Sequence, residues 1–146
     1  MKWFPKLVLR DYLIILGIAI AYFASRLFHL SSLPIFVDEA IYSRWAQIGL
    51  HDAAWRFISL TDGKQPLFMW AAMPFLQFVK DPLVATRLVS VFSGFLTVAG
   101  LWYAGFLLKD KRTGYLAAAL AVISPFLFFY DRFAVVESML TASGIW

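Results

Sequence analysis

The sequence of 146 residues contains no cysteine, and charged residues make up only 15% of it. Without cysteine, a disulfide framework and a thiolate metal site are both excluded. Soluble domains average about 25% charged and about 45–50% apolar residues, whereas 62% of this chain is apolar. The composition therefore disfavours a soluble globular fold.

The sequence also lacks the short motifs of soluble nucleotide-binding and zinc enzymes. It has no G-x-G-x-x-G segment, no P-loop and no H-E-x-x-H pair. The net charge of +4 would suit nucleic acid only if the basic residues formed one polar patch, and here they lie between apolar runs. We expect no nucleic-acid partner, and we interpret the basic residues as determinants of membrane topology.

Long apolar runs dominate what the sequence does contain. Residues 12–30, 87–108 and 113–130 are each close to the roughly 20 residues that a membrane-spanning helix requires. The apolar pattern of residues 133–146 predicts the start of a fourth span. Because this apolar pattern is cut off at Trp146, we expect the sequence to be a segment of a longer protein. The predicted fold class is all-α, a polytopic membrane helix bundle embedded in the lipid bilayer.

Basic residues predict the orientation of this bundle. Lys2, Lys6 and Arg10 precede the first apolar run, and a K-D-K-R segment at 109–112 separates the second run from the third. Short loops rich in Lys and Arg stay on the cytoplasmic side. We therefore expect an integral, multi-pass protein of a bacterial or archaeal cell membrane, with a cytoplasmic N-terminus and an outer loop at 31–86.

Two amphipathic juxtamembrane helices are predicted within the outer loop, at about 38–50 and 66–79. In the first, Ile41, Trp45 and Ile48 recur at helical spacing and form an apolar face. The second would reach only about 21 Å, short of the roughly 30 Å hydrocarbon core. The alternative, a short span at 66–79, would place the K-D-K-R segment outside, and the charge distribution favours the surface helix.

Asp38 and Glu39 form the most distinctive polar feature. Two adjacent carboxylates at the start of a helix can supply a general base together with a second acid that orients the acceptor or binds a cation. The alternative is that Asp38 only caps the helix, which is the simpler interpretation of the residue type alone.

Basic side chains near the predicted membrane edge are candidate anion ligands. Lys64, Arg87 and Arg132 would suit a phosphate group, although single cations at such positions also act as ordinary interfacial anchors. Glu137 lies inside an apolar helical stretch, where a carboxylate should face a polar interior or a water-filled cavity.

Four short segments occur in order after the first predicted span. They are D-E-A-x-Y at 38–42, G-K-x-P-L at 63–67, A-x-R-L-x-S at 85–90 and S-P-x(6)-R at 124–132, followed by Glu137. Together they resemble the N-terminal part of the GT-C glycosyltransferases, of the protein-mannosyltransferase and lipid A aminoarabinose-transferase type. In two places the sequence departs from that pattern: Gln65 stands where relatives often have proline, and Ile41 where some have arginine.

The resemblance implies an inverting transfer of a sugar from a polyprenyl-phosphate donor to a lipid, glycan or protein hydroxyl on the extracytoplasmic face. It implies that Asp38 is the base, supported by Glu39. The donor phosphate would be bound by Lys64, Arg87 and Arg132, with Glu137 as the acid of the second outer loop. Tyr42 and Asp131 would contact acceptor or donor. The resemblance implies no certain cofactor and leaves open a divalent cation, which Asp38 and Glu137 could hold.

Two alternatives belong to other functional classes. A transporter fragment would use Asp131, Arg132 and Glu137 as a coupling site, but it predicts inverted repeats or broken helices that the sequence does not show. A non-catalytic membrane subunit would need neither the acidic pair nor Lys64. Since relatives of the resembled type continue through further spans, we expect residues 1–146 alone to be inactive.

Overall fold

The computed structural model describes residues 7–146, and within this range it contains helices and turns but no strand. The seven α-helices are α1 (Leu9–Leu27), α2 (Val37–His51), α3 (Leu67–Phe78), α4 (Pro82–Leu108), α5 (Lys111–Ile123), α6 (Pro125–Tyr130) and α7 (Glu137–Ile145). Short 3-10 turns occupy Leu30–Ser32, Ala53–Trp55 and Ile58–Asp62. The predicted all-α bundle is confirmed. Lys2 and Lys6, used above for topology, lie outside the described residues.

Two helical segments are long and apolar enough to cross a membrane. They are Leu9–Ser32, with 24 residues, and Pro82–Leu108, with 27 residues. The second begins at Pro82 rather than at 87 because Asp81 caps it: the Oδ1 atom accepts the N–H groups of Leu83 and Val84. Proline suits the first helical position, where no N–H partner is needed.

The third apolar run is interrupted. α5 ends at Ile123, and Ser124 is extended, with a ψ of 120°, before α6 begins at Pro125. Proline disfavours the α conformation of the residue before it, which explains the break. The following helix, α7, begins at Glu137 rather than at 133, after a turn over residues 131–136. Whether these shorter helices cross the membrane stays a prediction.

α4 is the central helix, and it packs against α1, α2, α3, α5 and α7. It approaches α5 closely at Gly105 and Gly114. A Cβ atom on Gly114 would lie 2.5 Å from the carbonyl oxygen of Trp102, and one on Gly105 would lie 2.9 Å from the Cα of Gly114. Small residues at this crossing allow the two backbones to touch, as is common between membrane helices.

The segment between α1 and α4 returns to its starting end of the bundle. Arg87, in the second turn of α4, donates to the carbonyl of Leu30, just after α1, at 2.6 Å. α3 contains 12 residues, or about 18 Å of helix, which is shorter than the roughly 30 Å hydrocarbon core. The segment 31–86 therefore begins and ends at the same end of the bundle, and its position outside the cell stays a prediction.

The face of α2 that the bundle buries most completely is not its apolar face, and whether the apolar face lies on a membrane stays a prediction. Ile41, Trp45 and Ile48 are only partly buried, and the fully buried residues are Glu39, Tyr42, Ser43, Ala46 and Gly49. The side of α2 that carries Glu39 and Ser43 turns toward α4, because polar side chains of α4 form hydrogen bonds with these two residues. The hydroxyl oxygens of Ser43 and Thr86 lie 2.7 Å apart, and Glu39 reaches Arg87.

We predict that Gly114→Ala destabilises the bundle by about 1–3 kcal/mol, the cost of overpacking a tight contact. The added methyl group would meet backbone atoms, which cannot move aside cheaply. Gly17→Ala is the matched control, because nothing lies within 4 Å of a Cβ atom there. Both substitutions gain helix propensity, so thermal unfolding in detergent isolates the contact. Equal midpoints for the two variants would contradict the packing described.

Candidate active site

A buried ion pair joins the first turn of α2 to α4. The Nε and Nη2 atoms of Arg87 donate to Oε1 and Oε2 of Glu39, each at 2.8 Å. Both side chains are fully excluded from solvent. This is the parallel two-bond geometry that makes arginine–carboxylate pairs strong and directional.

The remaining hydrogen-bonding groups of this pair bind the backbone. Arg87 donates through Nη1 to the carbonyls of Leu30 and Leu33, at 2.6 and 3.2 Å, and through Nη2 to that of Pro34 at 3.2 Å. All five N–H groups of the guanidinium are therefore engaged. The predicted role of Arg87 as a phosphate ligand stays a prediction, and this geometry favours a positioning role instead.

Glu39 is equally occupied. Its Oε2 atom accepts the N–H of Phe36 at 3.0 Å, and its Oε1 atom accepts the N–H of Ala134 at 2.7 Å. α2 begins at Val37 with Phe36 as its N-cap, so the alternative that Asp38 is the N-cap residue is wrong. Glu39 accepts the free N–H group at the start of the helix. Asp38 is not needed for this purpose and is available for another role.

Asp38 faces away from this pair, toward Lys64. Successive helical residues are rotated by about 100°, so Asp38 shares its face with Tyr42 and Trp45 rather than with Glu39. Its Oδ1 atom accepts from Nζ of Lys64 at 3.1 Å, and the two side chains are 41% and 28% exposed. The ammonium also lies 5.0 Å from the ring centre of Tyr42 and 5.8 Å from that of Trp45.

A tight turn places Lys64 at this point. Gly63 has a φ of 69°, a left-handed conformation that glycine adopts without strain. The turn lets the N–H of Lys64 donate to the carbonyl of Ser59 at 3.0 Å. Asp62, on the other side of the glycine, approaches the same ammonium with its Oδ2 atom at 3.3 Å.

Electrostatics keep the cation charged and the neighbouring phenol neutral. The hydrogen bond to Asp38 raises the pKa of the Lys64 ammonium above its ordinary value. Burial raises the pKa of the Tyr42 phenol, which also feels the charges of Lys64, Asp38 and Glu137. Glu137 is exposed at the start of α7. Tyr42 therefore lies within electrostatic range of Lys64, Asp38 and Glu137.

The three cations predicted to bind phosphate do not share partners. Arg132 donates through Nη2 to the carbonyls of Phe28 and His29, at 2.7 and 3.3 Å. Arg132 and Arg87 therefore both bind the chain just after α1, whereas Lys64 binds carboxylates on the outer loop. Among these three, Lys64 is the one positioned beside an exposed acid.

The residues present do not form an evident cation site. Within residues 7–146, no three His, Asp or Glu side chains gather closely enough to hold a metal ion. The carboxylate of Asp38 is bound by the Lys64 ammonium instead. The donor set around Asp38 and Glu137 thus does not fit a divalent cation in this arrangement.

A second buried ion pair was not predicted. Arg26, fully buried near the end of α1, lies with Nε 3.5 Å from Oδ2 of Asp131. The hydroxyl of Tyr22 lies 3.1 Å from the same oxygen, and Ser138 donates to Oδ1 at 3.1 Å. Asp131 is buried here, which favours a role in holding the turn before α7 over substrate contact. The signal available was Arg26 itself, because an arginine within an apolar span needs a partner.

Fold and site together define the class: a helical membrane protein whose functional groups, an exposed acid and a cation, lie on a loop at one end of the bundle. The chain belongs to the dolichyl-phosphate-mannose-protein mannosyltransferase family, whose model matches residues 2–145. No curated protein and no solved structure matches the chain significantly. The family consists of membrane glycosyltransferases that use a polyprenyl-phosphate-linked donor, so the match favours an enzyme over the transporter and anchor alternatives.

We predict that Glu39→Gln lowers the free energy of unfolding by about 3–5 kcal/mol, because it leaves the buried guanidinium of Arg87 without a counter-charge. The double variant Glu39→Gln with Arg87→Met should lose less stability than the sum of the two single losses, because the second substitution removes the charge that the first leaves unpaired. Asp52→Asn, which alters an exposed carboxylate, serves as the control. Urea or thermal unfolding in detergent measures the single, double and control variants, and additive losses would contradict the assignment.

Proposed function

We propose that the protein transfers a sugar, with inversion, from a polyprenyl-phosphate donor to an acceptor hydroxyl on the extracytoplasmic face of the membrane. The observation that carries this proposal is the 3.1 Å contact between the partly exposed Asp38 carboxylate and the Lys64 ammonium on the outer loop. An acid and a cation in one place match the two needs of this reaction: a base for the hydroxyl and a counter-charge for the phosphate. The family description favours mannose as the sugar and a protein hydroxyl as the acceptor.

The proposed orientation rests on the charges at the two ends of the bundle. Lys111, at the start of α5, contacts Asp11 in the first turn of α1 at 2.6 Å, so these two helix starts share one end. The basic 109–112 segment therefore lies at the end opposite Arg87 and the outer loop. With the basic end cytoplasmic, Asp38 and Lys64 face the extracytoplasmic side.

The proposed reaction is a single displacement at the anomeric carbon. The acceptor oxygen forms a bond to this carbon while its proton passes to the Asp38 carboxylate. The bond from the carbon to the phosphate oxygen breaks, and the phosphate leaves with the bonding electron pair. Lys64 stabilises the negative charge that develops there. Because the acceptor attacks the face opposite the leaving group, the configuration is inverted.

The reaction also requires the Asp38–Lys64 contact to open. The attacking and leaving oxygens lie on opposite faces of the sugar, so the base and the phosphate ligand cannot remain 3.1 Å apart with the sugar between them. In this proposal the two groups neutralise each other until the donor phosphate takes the lysine.

Glu39, Arg87, Arg26 and Asp131 are proposed as positioning residues. The first pair fixes the start of α2 and therefore the direction of Asp38. The second holds the turn that precedes Glu137. Glu137 is proposed to contact the acceptor or the sugar, since it is exposed and acts electrostatically on Tyr42.

We predict that Asp38→Asn lowers transfer by about 10²–10⁴-fold, the usual contribution of a general base, while binding of the donor persists. Lys64→Ala should raise the KM for the donor as well as lower kcat, because it removes the counter-charge of the phosphate. The assay follows radiolabelled mannose from polyprenyl phosphate to acceptor, using the full-length protein in vesicles. Asp52→Asn controls for loss of one outer-loop carboxylate. Wild-type transfer by both test variants would overturn the site, and no transfer by the unmodified protein would overturn the function.

A further inference from the structure

The Lys64 ammonium forms ion pairs with two carboxylates, those of Asp38 and Asp62, and the proposed reaction uses only Asp38. Asp62 approaches Nζ at 3.3 Å, close to the 3.1 Å of Asp38. Its side chain is 57% exposed. Apart from this ion pair, the carboxylate of Asp62 makes no hydrogen bond within residues 7–146, so the fold does not need its charge.

Asp62 also lines an open groove on the outer face of α2. The groove has a volume of about 610 Å³ and is lined by Ala40, Ile41, Arg44, Trp45, Thr61 and Asp62. Asp62 is thus both a wall of this groove and a partner of Lys64. An anion that reaches the ammonium from this side must approach or displace the Asp62 carboxylate.

Donor and spent lipid differ in charge at the phosphate. The donor carries a phosphodiester with one negative charge, whereas cleavage of the sugar bond leaves a phosphate monoester with about −1.5 to −2 at pH 7. Coulomb repulsion scales with the product of the charges. A fixed carboxylate beside Lys64 therefore opposes the spent lipid phosphate more strongly than it opposes the donor.

We propose that Asp62 is a specificity-determining residue, which competes with the lipid phosphate for Lys64 and disfavours the spent lipid relative to the donor. This inference rests on the proposed function, because it takes Lys64 as the ligand of the donor phosphate. Without Asp62, the cation would bind the more highly charged product more tightly than the substrate, and the product would inhibit the enzyme. Its position two residues before Lys64, across the tight turn at Gly63, keeps the competing anion beside the cation.

The test compares Asp62→Asn with the unmodified full-length protein in phosphatidylcholine vesicles, which carry no net charge. The inhibition constant of polyprenyl monophosphate should fall by about two- to fivefold, the effect expected for a partly exposed ion pair. The KM for the donor should fall less, so the ratio of the two constants changes. Direct binding of polyprenyl monophosphate to the protein gives the same comparison without catalysis.

Asp52→Asn is the matched control, because it removes the same charge from an exposed position of the outer loop without touching Lys64. Equal changes of the inhibition constant in the two variants would indicate that the net charge of the protein matters and not the position of Asp62, and would overturn the proposal. Unchanged or weaker product binding by Asp62→Asn would overturn it as well. A purely structural role would lower the unfolding midpoint and leave the ratio of constants unchanged.

If the unmodified protein neither transfers sugar nor binds polyprenyl monophosphate, the proposed function fails. Transfer with an unaltered ratio in Asp62→Asn overturns only the role of Asp62.

Discussion

The buried pair of Glu39 and Arg87 is the interaction on which one end of the bundle, the end that carries Asp38 and Lys64, depends. A guanidinium and a carboxylate inside an apolar bundle must satisfy each other and every remaining donor and acceptor, since unpaired buried charges are very costly. Here they do so by binding the chain after α1, the start of α2 and the turn before α7. Once Glu39 is committed inward, helix geometry turns the adjacent Asp38 toward the loop that carries Lys64. Two neighbouring acids thus acquire opposite environments from one constraint.

The charged groups divide the molecule into two ends joined by an apolar middle. At one end Asp11 meets Lys111, and at the other lie the pairs formed by Glu39, Asp131 and Asp38. These pairs differ in how far their side chains are exposed to solvent, and this exposure determines whether a pair can exchange a partner. The pairs of Glu39 and Asp131 are closed to solvent and hold segments together. The pair of Asp38 and Lys64 remains accessible, so an anion from solution can exchange for one partner at modest cost.

Much of this arrangement could be predicted from the sequence, because apolar run length and charge placement are set by the membrane itself. The helical bundle and the two short helices between α1 and α4 follow from those signals, and the approach of Lys64 to Asp38 agrees with the order of the motifs. The buried face of α2 could not be predicted in this way, since apolar periodicity assumes that apolar residues point inward. Here Glu39 and Ser43 point inward to meet polar groups of α4. The pairing of Arg26 with Asp131 joins residues far apart in the chain, and no local pattern reports it.

The partners of the central pair have a consequence for how this protein tolerates change. Apart from those to each other, the hydrogen bonds of Glu39 and Arg87 within residues 7–146 go to main-chain groups: the carbonyls of Leu30, Leu33 and Pro34 and the N–H groups of Phe36 and Ala134. Every amino acid supplies a carbonyl, and every one except proline supplies an N–H. The residues that supply these main-chain groups can therefore be substituted wherever the new side chain fits. The identities of Glu39 and Arg87 alone determine these hydrogen bonds, which join the chain after α1, the start of α2 and the turn before α7.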